Sequence, residues 1–546
     1  MEPDVENALK LIKSRLAKKY NLKKTPSNIE LLNYLSVKPK EIITKPTRTI
    51  SGVAPIAIMT KPHKCPHIKK GIGPCLMCPG GMNSYFGNVP QSYTGKEPAT
   101  MRAIRNKYDP YLQVFNRLEQ YTLLNQNFDK IEIIIMGGTF PSTPIKYQEE
   151  FTTYIFKALN DFSELFFVKG KFNFIKFKNF FELPGNIKDK NRVKNIHKKL
   201  LKLKKKSNLL KEQLRNEKAK IRCVALCIET RPDYCNKKEI DEMLKLGCTR
   251  VELGVQTIYD DVLTKINRGH SVKETIEATK LLRDSFLKVG YHMIPGLPYS
   301  NKEKDIEMFK ELFENENFKP DALKIYPCMV LKGTKLYDLW KENKYIPLTT
   351  KNAVDLIVKI KKYIPSYCRV MRTQRDIPSY AIESGVDKTN LRQYVQEEMK
   401  KQNVKCNCIR CRELKNQNVN LKNLKIIKRQ YNASNGKEIF ISAESDNILL
   451  GFCRLRIPSN PYRKEISKNS AGIRELHVYG KSLELKEKNE NSVQHQGIGK
   501  QLLKEAEKLA KIKKIKKMFI ISGVGVKEYY KKLGYKKDGC YMSKSI

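Results

Sequence analysis

Short apolar runs and amphipathic stretches alternate over the first two thirds of the chain, and this alternation predicts the architecture. Runs rich in β-branched residues stand at "VAPIAIM" (53–59), "IEIIIM" (131–136), "RCVALCIE" (222–229), "RVELGV" (250–255), "GYHMI" (290–294) and "ALKIY" (322–326). Between them "KKEIDEMLKLG", "SVKETIEATKLLRDSF" and "NKEKDIEMFKELFE" place apolar residues at helical spacing. Repeated strand and helix units predict an α/β fold with parallel strands and helical crossovers. Six such units over about residues 51–345 predict an incomplete (β/α)6 barrel.

The pattern changes outside that region. Residues 1–50 read as basic helices, with Leu9, Ile12, Leu16 and Tyr20 on one side and lysines around them, Lys18 and Lys19 included. Residues 160–220 interrupt the barrel with a Phe-rich and then a Lys-rich insertion. There Val193, Ile196, Leu200, Leu203, Leu210 and Leu214 predict a basic helix or helical hairpin. Residues 346–415 read as a connector, and residues 416–546 as a separate small α/β domain with an amphipathic helix through Leu502, Leu503, Ala506, Leu509 and Ala510.

Charge narrows the partners. The chain of 546 residues carries 105 Lys and Arg against 57 Asp and Glu, a formal charge of +48, which points to a polyanion, nucleic acid first. The N-terminal stretch lacks an apolar signal region, and no run of apolar residues is long enough to span a bilayer. A cytoplasmic, reducing location is therefore expected, in which the 14 cysteines serve as metal ligands rather than disulfides.

Three of them stand in "CPHIKKGIGPCLMCPGG" (65–81), directly after the first predicted strand. An iron–sulfur cubane normally takes four thiolates, so Cys65, Cys75 and Cys78 would leave one iron open to a non-protein ligand. The alternative is a zinc knuckle completed by His63 or His67. A second cluster, "CNCIRC", sets Cys406, Cys408 and Cys411 close enough for a structural zinc, with Cys368 or a histidine as fourth ligand. In the last domain "QHQGIGKQLLKEAEKLA" (494–510) opens a helix with a glycine turn, a ready anion site.

A three-cysteine loop after the first strand of a partial barrel resembles the radical S-adenosylmethionine (SAM) superfamily, and the nine-residue gap resembles the catalytic subunit of the Elongator complex. The resemblance extends through "MGGTF" (136–140), "ETRPDYC" (229–235), "ELGVQT" (252–257), "INRGH" (266–270), "HMIPGLP" (292–298) and "QRDIP" (374–378). It implies a 4Fe-4S cluster on Cys65, Cys75 and Cys78, and SAM contacts from Gly137, Gly138, Glu229, Arg231 and Gln256. The C-terminal trio of "IRELHVYG" (473–480), the glycine turn and "ISGVGVKEYYKKLGY" (521–535) resembles the GNAT acetyltransferases. This implies that Glu475, Leu476, His477 and Val478 line an acetyl-CoA thioester and that Gln496, Gly497, Ile498, Gly499 and Lys500 hold its pyrophosphate. Tyr529 or Tyr530 would then protonate the departing thiolate.

The family implies modification of C5 of the wobble uridine of tRNA with acetyl-CoA and a SAM-derived radical. Lys18, Lys19, Arg372 and Arg375 are expected on the RNA backbone, and a homodimer or other Elongator-like subunits are expected partners. Two other readings stay open: a protein lysine acetyltransferase with the barrel as a platform, and a tRNA-binding scaffold without catalysis.

Overall fold

Seven parallel strands pair side by side in chain order: β1 (Ala54–Met59), β2 (Lys130–Met136), β3 (Arg222–Thr230), β4 (Arg250–Gln256), β5 (Lys288–Met293), β6 (Ala322–Ile325) and β7 (Arg369–Arg372). This computed structural model describes all residues except 1–2, 36–37, 40–41, 45–51, 187–188, 416–418 and 481–496. Helices cover the strands, so Val251, Leu253 and Val255 of β4 are fully buried, which is why these strands read as apolar runs.

The six expected strands are present and the sheet runs past the expected boundary at 345. β7 pairs with β6 through Ala322↔Arg369 and Leu323↔Val370. Its sequence, "RVMR", escapes a hydrophobicity reading because the arginines face an internal cavity rather than a core. The expected connector therefore begins inside the barrel.

Helix α1 (Pro3–Lys19) forms as expected, but its apolar side is not buried: Ile12, Leu16 and Tyr20 are exposed. The insertion is a helical hairpin that follows α2 (Ile145–Phe166), with arms α3 (Lys190–Leu203) and α4 (Leu209–Lys218). Phe162, Phe166, Phe177 and Phe181 pack ring against ring beneath it. Ile196, Leu200 and Leu209 are buried, whereas Leu210 and Leu214 face outward. The hairpin is thus part of the body and keeps a lysine-rich outer face.

The second sheet has the order β8 (Lys425–Ala433), β9 (Gly436–Ser445), β10 (Ile448–Ile457), β11 (Ser470–Val478), β12 (Lys517–Ile520), β14 (Tyr541–Ser545) and β13 (Lys536–Asp538). Helices α5 (Ile498–Ile512) and α6 (Lys527–Lys531) complete this domain.

The two domains meet closely. A Cβ at Gly523 would lie 2.0 Å from the Val224 carbonyl oxygen on β3, and one at Gly525 would lie 2.5 Å from Arg222 Cβ. Glu217 of α4 adds ion pairs to Lys527 at 3.3 Å and Lys531 at 3.1 Å. Deeper in, Asp321 receives both arms of Arg474 at 2.7 Å, and Arg456 reaches Asp284 at 2.6 Å.

Candidate active site

The cysteine loop is held by its backbone. Leu76 donates to the Ile266 carbonyl at 3.1 Å, and Leu336 donates to the Leu76 carbonyl at 3.0 Å. Gly71 and Gly73 take left-handed φ values of +76° and +82°, which lets the loop fold back on itself. Cys65 is buried, while Cys75 and Cys78 are half-buried.

Beneath the loop sits a buried network that sequence reading missed. Arg231 donates to His67 Nδ1 at 3.1 Å, to Asp233 at 2.8 Å and to the Arg268 carbonyl at 3.0 Å. Burial, then the charges of Arg231 and Arg268, hold His67 down to about 3, so it stays neutral and accepts. Arg231, expected to contact SAM, thus spends donors on bracing the cysteine loop.

A zinc knuckle requires its ligand atoms within a few ångströms of one metal. Among the described residues no such group draws on Cys65, Cys75 and Cys78, whereas Cys406, Cys408 and Cys411 do bring their sulfurs within 4.8 Å of one another. Spread thiols fit a cubane, whose cysteines ligate different irons. Donors also face the sulfurs: Gln91 Nε2 lies 2.8 Å from Cys78 Sγ, and Arg268 Nη1 lies 3.7 Å from Cys75 Sγ.

The loops after β2, β3 and β4 complete this end. Gly137 and Gly138 have φ of +129° and +96°, and a Cβ at Gly137 would lie 2.1 Å from Thr60 Oγ1. Glu229 accepts from Tyr93 at 3.0 Å and from Lys324 at 2.8 Å. Lys324 also pairs with Glu252, which accepts from His292 at 2.8 Å. Glu229, Glu252 and His292 form a compact group, and Lys324 supplies the cation to both carboxylates. Gln256 sits at a break in the β4–β5 register with φ of +74°.

At the other end, β11 pairs with β12 only as far as Ile473↔Ile520. From Glu475 to Val478 its second edge is unpaired by β12 and lines the cavity. Burial would raise Glu475, but Lys288 and Arg454 hold it at about 2. Gly497 caps α5 with φ of +80° and open space where a side chain would project. Gly499 and Lys500 continue that turn with the buried Ile498, while Gln496 lies outside the described residues. Tyr529 Oη lies 3.5 Å from where a Cβ would stand on Gly499. The Tyr529 and Tyr530 rings stack edge to face at 5.2 Å, with Tyr530 the more buried. Burial raises both hydroxyls above the ordinary tyrosine range.

These two ends open into one cavity of about 960 Å³, lined by the three cysteines and also by Glu475–Tyr479, Tyr529 and Tyr530. Arg372, paired with Asp376, and Arg375, on the Ser92 carbonyl, border it. Lys18 and Lys19 lie apart, exposed at the end of α1. The Cys406, Cys408 and Cys411 side chains do not line the cavity, although Arg410 between them does. Among the described residues neither Cys368 nor a histidine, the expected fourth ligand, joins the sulfur group, and Lys361 Nζ approaches Cys411 Sγ at 3.6 Å.

Family models agree with this division. Residues 75–312 match the radical SAM superfamily, 320–401 the radical SAM C-terminal domain, and 410–535 the acetyltransferase (GNAT) family. The chain is 46% identical to a tRNA uridine(34) acetyltransferase of Methanocaldococcus jannaschii, over 95% of this chain and 90% of that one. It is 41% identical to Elongator complex protein 3 of Saccharomyces cerevisiae, over 98% and 91%. The solved archaeal Methanocaldococcus infernus Elp3 with an N-terminal deletion superposes with a TM-score of 0.73 at 40% identity, covering 91% of this chain and 100% of that one. With a radical SAM half-barrel and a GNAT domain closing on one cavity, the chain belongs to the family of the tRNA uridine(34) acetyltransferases and Elongator complex protein 3.

Proposed function

We propose that the chain is a tRNA uridine(34) acetyltransferase that uses acetyl-CoA and a SAM-derived radical at C5 of the base. The observation that carries this reading is the shared cavity: a radical made at the cysteine end need not cross solvent to meet an acyl group held along β11. Cys65, Cys75 and Cys78 would hold a 4Fe-4S cluster, which with SAM supplies the one-electron cleavage that generates the radical. Gly137 and Gly138 would give SAM a wall without side chains, Gln256 lines the cavity beside them, and Glu229 is oriented by Tyr93 and Lys324.

At the acyl end, the unpaired edge of β11 offers backbone groups to an extended thioester arm. Tyr529, whose hydroxyl faces the glycine turn and stays protonated, is placed to donate a proton to a departing thiolate. Tyr530, nearly fully buried, packs α6 onto the sheet. Several acids of the cavity wall are already paired, Glu132 with Arg250 at 2.9 Å and Glu475 with Lys288. A wall of neutralised acids and additional cations suits an RNA strand and disfavours a lysine side chain.

The deciding experiment supplies anaerobically reconstituted protein with SAM, methyl-labelled acetyl-CoA and tRNA, then digests the RNA. Label on C5 of a wobble uridine is expected. Acetyl-CoA hydrolysis with no label on RNA would overturn the reading. Label on protein lysines without SAM would instead favour the lysine acetyltransferase.

Two further results are expected. Gly497→Glu should weaken acetyl-CoA by more than about tenfold, because the carboxylate occupies the anion site at the α5 terminus and a left-handed side chain adds about 1–2 kcal/mol of strain. Gly497→Asn, which tolerates that backbone better, should lose less; equal affinity of the Glu variant and wild type in a calorimetric titration would refute the site. Affinity for tRNA should fall steeply with salt, by about a thousandfold between roughly 50 and 200 mM if about six phosphates are contacted. A flat salt response would remove the backbone-contact role given to Lys18, Lys19, Arg372 and Arg375. The Cys406, Cys408 and Cys411 sulfurs support a zinc, which metal analysis of the purified chain would detect.

A further inference from the structure

Gln91 lies in "VPQSYTG", a stretch that no motif distinguishes. Its side chain is 8% exposed and lines the cavity beside the three cysteines. The amide nitrogen donates to Cys78 Sγ at 2.8 Å and to the Gly80 carbonyl at 2.9 Å. A backbone carbonyl can only accept, so the nitrogen must face Gly80, and this fixes the orientation of the amide. Both amide hydrogens are then committed. The oxygen Oε1 is buried and has no hydrogen-bond partner among the described residues.

A buried acceptor without a donor is unfavourable, and a ligand that fills the neighbouring cavity can satisfy it. Here the surroundings are shaped around it. A Cβ on Gly81 would lie 2.8 Å from Gln91 Oε1, and one on Gly138 would lie 3.0 Å from Gln91 Cβ. Gly138 belongs to the glycine pair assigned to SAM, so Gln91 and that pair form one wall. Gln91 lines the cavity beside the cysteines, and the donor that SAM carries at its metal-binding end is its amino group.

We infer that Gln91 is a positioning residue with two separable duties: one amide N–H, with the other anchored on the Gly80 carbonyl, holds the Cys78 sulfur, and its Oε1 accepts from the amino group of SAM. This rests on the reading of Cys65, Cys75 and Cys78 as cluster ligands. The first duty bears on electron transfer, because an N–H···S bond draws charge from a ligating sulfur and raises the reduction potential of its cluster. The second bears on binding, because an amino group that finds a prepared acceptor loses less on leaving water.

The test uses full-length chain reconstituted anaerobically, as wild type, Gln91→Leu and Gln91→Glu. The readouts are iron content, the midpoint potential from an EPR-monitored titration, and affinity for SAM and for a SAM analogue lacking the amino group. Gln91→Leu removes both duties: SAM should bind about tenfold more weakly, the analogue should bind as it does to wild type, and the potential should fall. Gln91→Glu keeps an acceptor but cannot donate to sulfur, so SAM affinity should stay within about threefold while the potential falls further. Should Gln91→Leu fail to take up iron, the Glu variant decides, and an unchanged potential in it overturns the inference. A normally loaded Gln91→Leu chain with wild-type SAM affinity and potential also overturns it. Wild-type chain that takes up no iron overturns the cluster reading itself, a different failure.

Discussion

Cys75→Ala should give a folded, tRNA-binding, acetyl-CoA-binding protein that no longer cleaves SAM, with 5′-deoxyadenosine at background and no label transferred to uridine. The separation follows from how the loop is held. Its anchors are backbone bonds from Leu76 to Ile266 and from Leu336 to Leu76, and Cys78 N–H reaches the Cys75 carbonyl at 3.0 Å, none of which uses the Cys75 sulfur. Deleting a half-buried thiol should therefore cost about 1 kcal/mol of stability. The cluster suffers far more, because the remaining two thiols leave a second iron without a protein ligand. Iron and sulfide content, the brown colour of reconstituted protein and product analysis measure the effect. Retained 5′-deoxyadenosine formation would sink the assignment of Cys75, and loss of tRNA or acetyl-CoA binding would show that the loop supports the whole cavity.

Residues differ in how far the sequence could reveal them. β1 to β6 were legible because the face packed under the helices is apolar in each, which leaves a recognisable run even where Glu252, His292 and Lys324 turn to the cavity. β7 was not, because "RVMR" satisfies the ladder with its backbone while two arginines serve the cavity. The cysteine loop and both glycine turns were legible since their chemistry needs particular residue types at short spacing. Gln91, Lys324 and His292 were not: each is an ordinary polar residue whose meaning lies in partners that folding brings near, as when Lys324 meets Glu229 from 95 positions away. Arg231 illustrates the reverse case. Its place in "ETRPDYC" marked it for the site, but its direction toward His67 depends on a loop more than 160 residues earlier. The glycines of "ISGVGV" carry a similar lesson, for Gly523 and Gly525 admit the barrel strand and so act at the joint between the domains.

That joint sets the second large effect. Asp321→Ala should undock the C-terminal domain from the barrel, lowering stability by about 3–5 kcal/mol and splitting a single calorimetric transition into two. Asp321 is fully buried, accepts from Val289 N–H at 2.8 Å and from both arms of Arg474 at 2.7 Å, and faces Arg454 at 3.4 Å. Burial alone would raise its pKa; Arg474 and Arg454 outweigh it and hold the carboxylate well below its usual range. Removing it strands two guanidinium groups in the interior with only Glu438 and Glu475 to balance them. The same logic fixes the acid response. Carboxylates depressed by folding, such as Glu475 at about 2 against 4.5, contribute stability that is complete above about pH 4.5 and is lost as pH falls toward 2. Asp321→Ala should therefore flatten the stability profile in that window. Function should fail in a particular way, because the cavity is built by both domains. SAM cleavage and acetyl-CoA binding should persist separately in the variant while label transfer to uridine drops by at least about a hundredfold, the effect expected when reacting groups lose their mutual positioning. Transfer at the wild-type rate from a chain with two separate unfolding transitions would mean that the two ends need not share one closed space.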